Sequence, residues 1–245
     1  MTRTQEFDPA AVLERLSTAT AALLHTAASL DDADVRAPSL LPGWTRAHVL
    51  THLARNADGG TNLLVWARTG VETPEYPSME ARARAIEDGA GRPARALLAD
   101  VRDSADRFAA EYARMPDPAW ETVVRWTGGQ QRPAARAADS RLTEVLVHHA
   151  DLDTAYTCAQ WPADFVAEML GRVTASFSGR ADAPAMRLHA TDTGTHHSVP
   201  HPPPDGSPLI RAPQADLLSW LMGRPPTPHL TTHNPTPLPH VPFLY

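Results

Sequence analysis

The chain has 245 residues, 42% of them hydrophobic, a formal net charge of −6 and a single cysteine, Cys158. That acidic balance gives no attraction to a phosphate backbone, and no apolar run approaches the roughly 18 residues of a membrane span. One thiol excludes an internal disulfide framework and suits a reducing compartment, and the absence of lysine among the 22 basic residues removes Schiff-base chemistry.

From the N-terminus, MTRTQEFDPAAVLERL lacks the charged-then-apolar pattern of a secretory leader, so a cytoplasmic location is expected. Asp8-Pro9 is a helix opening, with Asp as N-cap and Pro in the first turn. Val12, Leu16, Leu23, Leu24 and Leu30 then recur at helical spacing as far as Asp31-Asp32. A second helix is predicted over 46–69, capped by Thr45 and stopped by Gly70. Ser78 opens a short helix through Ile86, which Gly89 and Gly91 interrupt before Pro93 restarts a longer one. In that longer helix Leu97, Leu98, Val101, Phe108 and Tyr112 form the apolar stripe. Met115-Pro116-Asp117-Pro118 ends it, and Trp120–Trp126 followed by Gly128-Gly129 predicts a short extended excursion or hairpin. The next helix carries Glu144 and His148 and is expected to end near Tyr156.

A fifth helix over 163–178 opens a different region. There 185–191, 197–199 and 209–212 read as strands, and 215–223 reads as a helix. Thirteen of the 24 prolines fall between Pro200 and Pro242, a composition foreign to a helical bundle. The expected organisation is mainly α: a four-helix bundle over residues 1–160, then a smaller α+β domain with a proline-rich tail over 161–245.

Chemistry concentrates on two of the bundle helices. Glu144 and His148, four residues apart, put a carboxylate and an imidazole one above the other on one face. Asp151 lies three residues further along nearly the same line, within reach of the second imidazole nitrogen. On the second helix His52 and Asn56 fall on the face that should be buried, where an imidazole needs a partner. A hydrogen bond to backbone or to a neighbouring acid would satisfy His52, and so would a metal ion shared with Glu144 and His148. His48, one turn earlier, competes for the same role. His149 is rotated by about 100° from His148 and belongs to packing or solvent. Imidazole and carboxylate donors suit zinc first, while iron, nickel and manganese accept the same set. The metalloprotease pattern His-Glu-x-x-His is absent.

Three blocks in order give the chain a resemblance: LPGWTRAHVLTHLARNADGGTNLLVWARTGVETPEYPS (41–78), EVLVHHADL (144–152) and ADLLSWLMGR ending at Arg224. They resemble the mycothiol-dependent maleylpyruvate isomerases, the zinc-binding branch of the DinB-like four-helix bundles. The resemblance is close over about residues 8–160 and looser beyond. It implies a zinc ion, or another divalent metal, held by His52, Glu144 and His148. It also implies mycothiol as thiol cosubstrate and Arg224 as the group that binds a carboxylate of a dicarboxylate substrate. Asp151 and Asn56 are the expected supporting residues around the metal. Neither nucleic acid nor membrane is an expected partner. The implied reaction is cis–trans isomerisation of maleylpyruvate to fumarylpyruvate in gentisate degradation, and the lysine-free composition suits the GC-rich actinobacteria that make mycothiol. Two rivals remain open: a mycothiol S-transferase using the same site, and a non-catalytic module stabilised by its metal. Cys158 and the seven histidines from His189 onward lack ligand or nucleophile spacing and take no role.

Overall fold

The computed structural model describes residues 7–233 and 237–242. The first six residues and parts of the proline-rich tail (234–236 and 243–245) lie outside the described residues. The chain divides into two compact units, Met1–Ala155 and Tyr156–Tyr245.

The first unit is built on four long helices. Helix α1, Pro9–Ala28, starts where the Asp8 carboxylate accepts from the amides of Ala10 and Ala11 at 3.0 and 3.1 Å. A short helix not foreseen from periodicity, α2 (Asp32–Arg36), follows, closed by a capping box between Asp31 and Asp34. Helix α3, Arg46–Thr69, begins at Thr45 and ends at Gly70, whose φ of 73° is the left-handed conformation that glycine adopts without steric cost. Helix α4, Met79–Ala90, opens at Ser78 but runs through Gly89 instead of breaking there. A Cβ at Gly89 would lie 2.4 Å from Thr51 Cγ2, so this glycine serves close helix–helix approach and not chain termination.

Helix α5, Ala94–Tyr112, has no side-chain cap of its own at Pro93, and Asp32 of α2 accepts from the Ala94 amide at 2.7 Å instead. A 3-10 turn, Asp117–Glu121, leads into a hairpin of β1 (Val123–Arg125) and β2 (Gln131–Pro133). Helix α6, Ala135–Asp151, stops before the expected Tyr156. Its end is set by Asp153 at φ 52° and by Arg46, which donates to the carbonyls of Leu152 (2.6 Å) and Asp153 (2.8 Å). Helices α1 and α3 each pack against both α5 and α6, which closes a ring of four, and α4 lies on α3. Leu23, Leu50, Leu53, Leu64, Leu97, Phe108 and Val145, all 0–1% exposed, fill the centre; each contributes roughly 1.5–3 kcal/mol by leaving water.

The second unit contains α7 (Ala163–Ser178), α8 (Gln214–Leu221) and a four-stranded sheet. Strands β3 (Met186–Ala190), β4 (His196–Val199), β5 (Leu209–Ala212) and β6 (Thr231–Thr232) are ordered β4-β3-β5-β6. Only β3 and β5 run parallel; the other pairings are antiparallel. Met186, Leu188 and Ala190 turn inward while Arg187 turns out, the alternation of a half-buried strand. The fold is thus mainly α with an α+β C-terminal unit. Among the described residues no helix is long and apolar enough to cross a membrane.

Candidate metal centre

Helix α3 carries His52 and α6 carries Glu144 and His148, and the packing of α3 on α6 brings the three together. One donor atom from each lies within 4.8 Å of the others, the one such cluster of three or more His, Cys, Asp or Glu among the described residues. The His52 Nε2 stands 2.7 Å from Glu144 Oε2, and His148 Nε2 stands 3.3 Å from the same oxygen. The two imidazole rings meet edge to face, with centroids 4.5 Å apart. Trp44, from the turn before α3, lies against His52 with centroids 5.7 Å apart.

Both imidazoles are held from behind. Asp151, whose side chain is fully buried, meets His148 Nδ1 at 2.7 Å. That contact puts the Nδ1 proton on the carboxylate side and aims Nε2 at Glu144, the arrangement by which a carboxylate orients a ligating imidazole. Behind His52 stands Arg82 of α4, its Nη2 2.9 Å from His52 Nδ1. A guanidinium only donates, so the neutral His52 ring accepts at Nδ1 and carries its proton on Nε2, directed at Glu144. An ion on Nε2 would need the opposite tautomer, so for the neutral ring it and the Arg82 contact exclude one another.

The electrostatics follow from burial and these contacts. Burial, then the neighbouring charge of His148, push His52 down to about 4. Burial also disfavours the charged form of His148, but hydrogen bonds to Asp151 and Glu144 outweigh it and raise that ring to about 9. Burial alone would raise Glu144; the hydrogen bonds from His148 and His52 hold it well below the usual carboxylate range. At neutral pH the cluster is therefore an anionic Glu144, a neutral His52 and a His148 whose extra proton lies where a cation would sit. An oxygen and two nitrogens converging in this way fit a borderline divalent ion such as zinc, with one tetrahedral position left for an exogenous ligand.

Other residues singled out from sequence fall elsewhere. His48 lies outside the cluster: its Nδ1 accepts from the Thr45 amide as part of the helix cap, and its Nε2 is 3.4 Å from Glu87. Asn56 hydrogen-bonds to Arg141 (2.9 Å) and not to a ligand candidate. His149 is buried, 2.7 Å from Thr26 Oγ1, and pushed down to about 4 by burial. Cys158 is buried in the second unit, 3.7 Å from Asp216, and burial together with that carboxylate pushes its thiol up to about 11. Arg224 lies just beyond α8 and donates to the Met222 carbonyl at 2.7 Å. Sequence reasoning missed Arg82 and Arg141. Arg82 gives no signal, because its partner is 30 residues away. Arg141 does give one: an arginine on the buried side of α6 among Ala137, Ala138, Leu142 and Val145.

Two family models match the chain. The mycothiol maleylpyruvate isomerase N-terminal domain matches residues 16–153, and the MDMPI C-terminal domain matches 160–240. Among solved structures, that of a mycothiol-dependent maleylpyruvate isomerase is similar with a TM-score of 0.90 and 26% identity, over 99% of this chain and 100% of that one. The structure of the H52A mutant of a mycothiol-dependent maleylpyruvate isomerase is similar with the same score and coverage at 25% identity. No curated protein sequence matches.

Proposed function

The chain belongs to the mycothiol-dependent maleylpyruvate isomerase family, and from that premise we propose that it converts maleylpyruvate to fumarylpyruvate with mycothiol as thiol cosubstrate. The observation that carries the reading is the convergence of His52, Glu144 and His148, one donor short of a closed tetrahedral shell. Zinc bound to this donor set would keep the mycothiol sulfur as thiolate near neutral pH.

A double bond does not rotate unaided, but thiolate addition makes it temporarily single. The sulfur forms a bond to one alkene carbon, and the π electron pair moves onto the conjugated carbonyl as an enolate. After rotation the enolate collapses, re-forms the double bond in the trans sense and expels the thiolate. Atoms and charge balance without oxidant or net proton transfer. The residues of the chain bind and orient. His52, Glu144 and His148 would hold the ion, and Asp151 keeps the His148 proton on Nδ1 so that Nε2 can offer its lone pair. Arg224 is assigned to a substrate carboxylate, where a bidentate guanidinium also offsets the charge of the enolate. On this reading the metal ligands lie within residues 1–160, and the chain is a cytoplasmic enzyme of actinobacterial gentisate degradation.

The test mixes the zinc-loaded protein with mycothiol and maleylpyruvate and follows the ultraviolet spectrum. The expected result is thiol-dependent conversion to fumarylpyruvate, with Arg224→Gln raising KM while zinc content stays constant. A stable thioether found by mass spectrometry would replace isomerisation with thiol transfer. No thiol-dependent change in the zinc-loaded protein would remove the proposal.

A further inference from the structure

Arg141 is 2% exposed, yet no carboxylate hydrogen-bonds to it among the described residues. Its Nη1 donates to the Leu53 carbonyl at 2.8 Å and to Asn56 Oδ1 at 2.9 Å, while its buried Nη2 has no hydrogen-bond partner there. A buried cation with no carboxylate hydrogen-bonded to it is a poor source of stability, since an apolar side chain of similar volume fills the same space without desolvating a charge. What the guanidinium supplies is direction: two bonds from α6 into α3.

The place of those bonds matters. Leu53 directly follows His52, and Asn56 is one turn beyond His52 on the same face of α3. On α6, Arg141 is one turn before Glu144, and His148 is one turn after it. The bond to the Leu53 carbonyl fixes α3 by its backbone, which side-chain repacking cannot shift. Arg141 thus ties the two helices together at the level where they contribute their donors, and it hydrogen-bonds to none of the donors itself, although the Glu144 charge acts on it.

We infer that Arg141 is a positioning residue for the metal centre, holding the His52 turn of α3 in register with the Glu144 turn of α6. This rests on the reading of His52, Glu144 and His148 as metal ligands. Asn56 and Arg141 also line a small pocket together with Gly60, Glu75, Trp126 and Ser140.

The test compares wild type, Arg141→Met and Arg141→Lys after metal stripping. Zinc affinity is measured by competition with a chromophoric chelator, coordination by the visible spectrum of the cobalt form, and stability by the melting temperature of the metal-free protein. Arg141→Met is expected to bind zinc about 10- to 100-fold more weakly, as for the loss of other supporting residues around a metal. Its cobalt bands should shift, and its metal-free melting temperature should equal or exceed that of wild type. Arg141→Lys, which can reach one of the two acceptors, should recover part of the affinity. Unchanged affinity in Arg141→Met overturns the assignment. So does a fall in metal-free stability that accompanies the lost affinity, which would make Arg141 merely structural. If wild type itself binds no zinc, the metal centre fails first and the assignment goes with it.

Discussion

Replacing Asp151 by asparagine separates two opposing effects on the proposed metal site. The carboxylate accepts from His148 Nδ1 at 2.7 Å in full burial, and its hydrogen bond is the largest of the contributions that raise His148 to about 9. A rise from 6.5 to about 9 corresponds to roughly 3 kcal/mol in favour of the proton. Below pH 9 each ion that binds would have to displace that proton, so wild-type affinity is expected to fall about tenfold per pH unit and about 100-fold between pH 9 and 7. The amide oxygen of the Asp151→Asn variant would keep the hydrogen bond but not the charge. The variant loses about 10- to 100-fold in intrinsic affinity, yet its His148 titrates lower and competes less for the ion. The two effects largely cancel near pH 7 and part company as pH rises. The assay is zinc competition with a chelator at half-unit steps from pH 6.5 to 9, with proton release measured calorimetrically in buffers of different ionisation enthalpy. The expected outcome is a gap between wild type and Asp151→Asn that widens with pH, with about one proton released per ion at pH 7 in wild type and fewer in the variant. Parallel pH profiles with equal proton release would refute the linkage drawn from the His148–Asp151 pair.

Arg82→Met should strengthen zinc binding, because it removes a donor that holds His52 in the tautomer unable to bind at Nε2; weaker binding in the chelator assay would contradict this. The buried His149 bears on acid stability. Its folded pKa of about 4 lies below the unfolded 6.5, so its contribution is complete above pH 6.5 and is lost as pH falls through 4. That loss amounts to about 3 kcal/mol. Denaturant titrations of His149→Gln, which keeps a polar partner for Thr26, should show a shallower loss between pH 6.5 and 4, and an acid limb identical to wild type would count against the assignment.

Local signals carry much of this structure. Thr45 and Gly70 mark both ends of α3 because cap chemistry is written in adjacent residues, and i,i+4 spacing puts Glu144 and His148 on one face. The pairing of those two with His52 comes from family resemblance, since periodicity says which face of a helix is apolar and not which helices meet. The same limit hides Arg82 and the partners of Arg141, which lie on other elements, and leaves Asn56 near the ligand candidates without its actual contact. Gly89 reads as a breaker in sequence, because a glycine inside a helix looks like one until the Thr51 methyl against it is seen. Helix α6 ends early, and Arg46, about a hundred residues away in sequence, captures the carbonyls of Leu152 and Asp153 just beyond its end. The two-residue β6 is too short to alternate and lies among prolines.

The most direct test is a metal analysis of the purified chain together with X-ray absorption at the metal edge. The predicted result is one divalent ion per chain in a shell of two imidazole nitrogens and carboxylate oxygen, lost in a His52→Ala, Glu144→Ala, His148→Ala triple variant that remains folded. A wild-type chain that takes up no ion at micromolar zinc, or a triple variant that keeps it, would contradict the account.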